Sequence, residues 1–89
     1  MNNQIYNDIE RTVCNIISRI KKCDYEYTDQ TKKLFLTHEY FKFSWIDLAY
    51  LFLEIQKIYE LNFVEDDVLD YRFLTIENIV EIIDLRYKC

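Results

Sequence analysis

From the N-terminal end, apolar side chains fall at Ile5, Tyr6, Ile9, Val13, Ile16, Ile17 and Ile20. The steps are mostly three and four, which draws one stripe along a helix. Asn2 or Asn3 can cap its start, and Arg19, Lys21 and Lys22 suit the negative end of its dipole. The pattern predicts a helix over 3–22. Residues 23–43 show no sustained period. Thr28 to Phe35 can hold a helical turn, and the rest reads as a long loop tethered by Leu34, Leu36, Phe41 and Phe43. Periodicity returns at "SWIDLAYLFLEIQKIYELNF". Ser44 followed by Asp47 makes a capping-box pair. Leu48, Leu51, Phe52, Ile55, Ile58 and Tyr59 share one stripe, with Asp47, Tyr50, Glu54 and Lys57 opposite. That predicts a helix over 45–60. Tyr50 and Leu53 lie off the stripe, so either can be exposed. The acidic run at 65–67 suits the start of a short helix over 65–71. Thr75 then caps a helix over 76–86 whose apolar face is Ile76, Ile79, Val80 and Ile83. The chain is expected to be one all-α domain over 1–89, a four-helix bundle with a long loop between its first two helices.

Composition sharpens this. The chain has 89 residues with neither Gly nor Pro, where average usage gives about ten of the two. Turns that need positive φ are therefore unexpected, and two-residue hairpins are disfavoured. A hydrophobic share of 51% with 30% charged residues is that of a folded domain. The net charge of −5 argues against a nucleic-acid module and against an anionic membrane surface. No apolar stretch is long enough to span a bilayer, and the polar start lacks a signal peptide's apolar core. A cytoplasmic location is expected by default.

The reactive side chains are few. Cys14, Cys23 and Cys89 form no close-spaced pair, and His38 is the one histidine. A zinc site would need Cys14, Cys23 and His38 to converge, so free thiols are the simpler reading, with Cys14 beside the core. The 65–67 cluster lacks the alternating ligands of a calcium loop. Tyr25, Tyr27, Tyr40 and Tyr71 read as loop anchors.

The order long helix, long loop, helix, short helix, helix resembles the acyl carrier proteins and the related peptidyl carrier domains. Their hallmark is Asp-Ser-Leu at the start of the second helix, whose Ser carries a 4′-phosphopantetheine arm. The tail "FLTIENIVEII" is also similar to the start of the family's fourth helix. Two registers compete. With Ser44 as the attachment residue, the family's core positions at +10 and +18 fall on Glu54 and Asn62, which are poor core residues. With Trp45 there, the positions +1, +4, +6, +7, +10, +14 and +18 become Ile46, Ala49, Leu51, Phe52, Ile55, Tyr59 and Phe63. All are apolar or aromatic, so the second register is preferred. Ser44 then replaces the family's Asp, Trp45 replaces its modified Ser, and Lys42 replaces its Gly.

The resemblance therefore implies a divergent carrier-related protein of the kind associated with bacterial peptide maturation. It would be no enzyme and would lack a prosthetic arm, acting as an adaptor or subunit of a peptide-modifying or acyl-handling enzyme. The face that meets such a protein partner would be Trp45, Asp47, Tyr50, Leu53 and Lys57. The alternative is a working carrier with 4′-phosphopantetheine on Ser44. A serine nucleophile using His38 as base is a third reading without an orienting group. For Trp45, anchoring a partner and packing against the long loop both remain open.

Overall fold

The structure is a computed structural model that describes residues 3–60 and 74–87. Its order is α1 (Asn3–Lys21), a 3₁₀ turn (Thr31–Lys33), α2 (Trp45–Tyr59) and α3 (Ile76–Tyr87). The three long helices thus stand within a residue or so of their predicted bounds. The predicted helix over 65–71 lies outside the described residues, as do Phe63, Tyr71 and Cys89. Among the described residues the regular secondary structure is helical, apart from one isolated antiparallel bridge between Phe35 and Thr75. No described helix is long and apolar enough to cross a membrane.

α1 packs against both α2 and α3. Its stripe delivers Ile9, Val13, Ile16 and Ile17 to the core, where each is nearly or fully buried. α3 delivers Ile76, Ile79, Val80 and Ile83. Full burial of such a side chain stabilises by about 1.5–3 kcal/mol. Thr75 Oγ1 accepts from the Asn78 N–H at 3.1 Å and caps α3. α1 and α2 run antiparallel: Lys21 meets Asp47 and Arg19 meets Glu54, one turn or more further along α2.

The long connection from 22 to 44 is fastened rather than free-running. Leu36, Phe41 and Phe43 are buried, and Leu34 is half-buried. The Leu36 N–H donates to the Leu74 carbonyl at 2.8 Å, and the Phe43 N–H to the Leu36 carbonyl at 3.0 Å. The tyrosines supply the remaining ties. Tyr27 donates its hydroxyl to the Cys14 carbonyl on α1 at 2.9 Å, and Tyr25 donates to the Phe41 carbonyl at 3.2 Å. The Tyr40 hydroxyl donates to the Glu26 carbonyl and accepts from the Glu26 N–H. The Tyr25 and Tyr40 rings each stand 5.0 Å from the Phe41 ring. Burial pushes the Tyr27 hydroxyl up to about 12, so it stays protonated and donating at neutral pH. The 3₁₀ turn is held to α1 by Lys32, whose Nζ lies 3.1 Å from Glu10 Oε1.

One expectation is overturned. Lys22, Lys42 and Glu60 all take positive φ, between 52° and 55°. Lys22 closes α1 in a Schellman arrangement, with the Cys23 N–H donating to the Ser18 carbonyl and the Lys22 N–H to the Arg19 carbonyl. Glu60 ends α2 in the same left-handed region. Lacking glycine, the chain accepts a cost of about 1–2 kcal/mol at such a residue, because the closing hydrogen bonds satisfy carbonyls that the helix end leaves open. Lys22→Gly is accordingly expected to raise stability by about 0.5–1 kcal/mol, a few degrees in thermal midpoint. Thermal unfolding followed by circular dichroism measures it, and an unchanged or lowered midpoint contradicts the strain.

Candidate functional site

α2 begins where the long connection ends, and Ser44 is its N-cap. The Ser44 Oγ accepts from the Asp47 N–H at 3.2 Å, and Asp47 Oδ2 accepts from the Ser44 N–H at 2.9 Å. Both halves of the capping box are present. Its partner carboxylate is further engaged. Lys21 Nζ lies 3.2 Å from Asp47 Oδ2, 3.0 Å from the Lys42 carbonyl and 5.8 Å from the centre of the Phe43 ring. One ammonium group thereby joins the end of α1, the end of the loop and the first turn of α2. Partial burial alone would raise the Asp47 pKa. The Ser44 N–H and Lys21 outweigh that effect and hold the carboxyl below its ordinary value.

Beyond the cap, α2 turns by about 100° per residue. Leu48, Leu51, Phe52 and Ile55 fall on the side that meets the core and are buried. Tyr59 is half-buried on the same side. The opposite side carries Ile46 (51% exposed), Tyr50 (60%) and Leu53 (55%), with Ala49 and Lys57 also exposed along it. Trp45, the first residue of the helix, is 76% exposed. It borders a groove of about 450 Å³ with Leu48, Ala49, Phe52, Leu53 and Gln56 along its length. Packing of Trp45 against the long loop as a core residue is thus excluded by its exposure.

Three placements differ from expectation. Ile46 and Ala49, counted among the core positions of the preferred register, are exposed, because they lie about half and a third of a turn from the buried quartet. Leu51, Phe52 and Ile55 do occupy the core. Ile58, placed on the inward stripe, is 49% exposed at its edge beside Thr12 and Arg19. The competing register required Glu54 in the core, yet its carboxylate is partly exposed and lies 3.9 Å from Arg19 and 4.0 Å from Lys57.

The carboxylates on this face also have a different character from the one expected. Asp47 is engaged by Lys21 and the cap, and Glu54 by Arg19 and Lys57. Sequence reading connected Lys21 and Arg19 only with the dipole of their own helix. Their reach across to α2 depends on the antiparallel packing and has no local signal. What α2 presents outward is chiefly Trp45, Ile46, Tyr50 and Leu53, with Lys57 at one end.

The other reactive groups stand apart. Cys14 is buried, and burial raises its thiol to about 12, far from a thiolate at neutral pH. Cys23 is exposed. Among the described residues no group of three metal-ligating side chains comes together. His38 Nδ1 accepts from the Tyr40 N–H at 3.0 Å, so this nitrogen is occupied by a turn within the loop. No family model, curated protein or solved structure matches the chain.

Because the Asp47 pKa is lowered on folding, its contribution is full above the ordinary aspartate value of 3.8 and is lost as pH falls through the folded value. Lys21→Met should therefore lower stability more at pH 7 than at a pH acid enough to protonate Asp47, where only the contacts of Lys21 with the Lys42 carbonyl and the Phe43 ring remain to be lost. Chemical unfolding at neutral and at acid pH tests this, and an equal loss at both would assign the effect to those contacts and the lysine stem rather than to the ion pair.

Proposed function

We propose that this chain is a carrier-like helical module that works without a prosthetic arm. It serves as an adaptor or subunit, docks a protein partner through the outward face of α2, and is not itself an enzyme. The observation that carries this reading is the exposure of Trp45 at the first turn of α2, continued by Ile46, Tyr50 and Leu53. Large apolar side chains grouped on one helix face are costly to leave in water, and buried aromatics are strong anchors at interfaces. A helix with such a face can lie in a groove or against another helix.

The absence of an arm in this proposal rests on register. The burial of Leu51, Phe52 and Ile55 and the ion-paired position of Glu54 favour Trp45 over Ser44 at the family's attachment position, while Ile46 and Ala49 of the same register are exposed and do not add to that support. An indole has no hydroxyl to esterify. The Ser44 hydroxyl has a sufficient role as the cap of α2, a contribution of about 1 kcal/mol. A partner that modifies peptides or handles acyl groups follows from the likeness to carrier proteins.

Co-expression with a broad-specificity phosphopantetheinyl transferase separates this reading from a working carrier. The intact mass is expected to stay that of the bare chain. A gain of one phosphopantetheine, mapped to Ser44, overturns the proposal.

Trp45→Ala should weaken capture of the native partner about tenfold or more while changing stability by less than about 0.5 kcal/mol. Affinity measurement beside thermal unfolding reads both. A large stability loss without loss of capture would make the indole a structural group.

A further inference from the structure

We propose that His38 makes the long connection a pH-sensitive latch: the neutral imidazole closes the turn that carries Tyr40, and the protonated imidazole opens it.

The turn is built on the histidine. Its carbonyl accepts from the Phe41 N–H at 3.0 Å and from the Lys42 N–H at 2.7 Å, and its own N–H donates to the Phe35 carbonyl at 2.9 Å. Those bonds do not depend on the charge of the ring. The fourth does. His38 Nδ1 accepts from the Tyr40 N–H at 3.0 Å, the same closure onto the backbone two residues on that an Asn or Asp side chain makes. A ring nitrogen accepts only while it carries no hydrogen, so the neutral tautomer with its hydrogen on Nε2 is the one that fits. Protonation puts a hydrogen on Nδ1 and sets two donors face to face, and the ring has to swing away. His38 is exposed, so protons reach it directly from water. Histidine is also the side chain whose ordinary charge change falls between about pH 5 and 8. The closing bond is therefore complete above that range and lost as pH falls through it.

Tyr40 is what the latch holds. Its hydroxyl donates to the Glu26 carbonyl at 3.2 Å and accepts from the Glu26 N–H at 3.1 Å. Its ring stands 5.5 Å from that of Tyr25 and 5.0 Å from that of Phe41. These contacts join the two halves of the connection. Freed of its N–H bond, Tyr40 can turn and release Glu26, while Phe41 and Phe43 stay buried and keep the connection seated on the core. The change is confined to the loop.

The charged groups of the turn are Glu39 and Lys42, and Glu26 stands across the Tyr40 hydroxyl. All three are exposed, and among the described residues no carboxylate forms an ion pair with the imidazole. Burial pushes the Tyr25 hydroxyl upward, so it stays protonated throughout the histidine range. His38 is thus the group of this turn that changes charge there.

Nuclear magnetic resonance on the full chain, titrated from about pH 8 to 5.5 to stay above the carboxylates, tests the latch. The Tyr40 and Glu26 amide signals are expected to move together with the His38 ring signals, while the amides of α3 stay in place. In the acid form the Tyr40 amide should exchange with water about fivefold faster, relative to an unstructured peptide, as for one lost hydrogen bond. His38→Asn keeps an acceptor that does not titrate, so its Tyr40 amide should stay protected and independent of pH. His38→Ala should show the faster exchange at every pH. A Tyr40 amide that ignores the ring, or a transition that persists in His38→Asn, overturns the proposal. A Glu26 amide that stays fixed while Tyr40 moves overturns the coupling between the two halves, and the latch with it.

Discussion

A helix can bury only the side that meets its neighbours, and α2 carries more apolar side chains than one side can hold. Leu48, Leu51, Phe52 and Ile55 take the inward places. Each contributes about 1.5–3 kcal/mol by leaving water, and turning the helix over would carry the charged Lys57 inward with Ile46, Tyr50 and Leu53. Once they are seated, the helical turn leaves Ile46, Tyr50 and Leu53 on the far side. The exposed face is thus a consequence of the core, and the functional proposal inherits its geometry from that choice.

The rotation of α2 is locked at its first turn. Lys21 touches Asp47, the Lys42 carbonyl and the Phe43 ring, so the last residue of α1 holds the first turn of α2. Asp47 Oδ2 accepts a hydrogen bond from the Ser44 N–H while the Ser44 hydroxyl oxygen caps the helix. A carboxylate in this position is therefore structural before it is anything else. The flanking carboxylates are engaged within the chain, so what the outward face of α2 offers is chiefly apolar.

A chain without glycine or proline must close its turns by other means, and the long connection displays them. Three phenol hydroxyls fasten loop backbone to α1 or to other loop segments. Threonine pairs shape the 3₁₀ turn, where Thr31 Oγ1 accepts from the Thr28 N–H and Thr28 Oγ1 from the Thr31 N–H. Lys22, Lys42 and Glu60 supply left-handed residues at some strain. The high aromatic content, 17% of the chain, is accounted for in part by this loop chemistry.

The hydrophobic spacing by itself determined the three long helices, because a period near 3.6 and capping pairs such as Ser44 with Asp47 are local and physically specific. It also named the inward residues of α1 and α3, and it set Tyr50 and Lys57 away from the inward stripe of α2. The side chains tethering the long loop were legible too, since a buried Phe41 or Leu36 in a polar stretch has few other uses. Which of the remaining apolar residues of α2 face water was not legible. Ile46, Ala49 and Ile58 are apolar like their buried neighbours, and only the direction from which α1 and the rest of the core approach α2 distinguishes them. Trp45 could equally have folded back on the loop. Likewise the charge of Asp47 and Glu54 is visible in the sequence, but its engagement by Lys21 and Arg19 is not. Those contacts join residues more than twenty-five positions apart, and they exist only because the antiparallel packing of α1 and α2 brings opposite charges within reach.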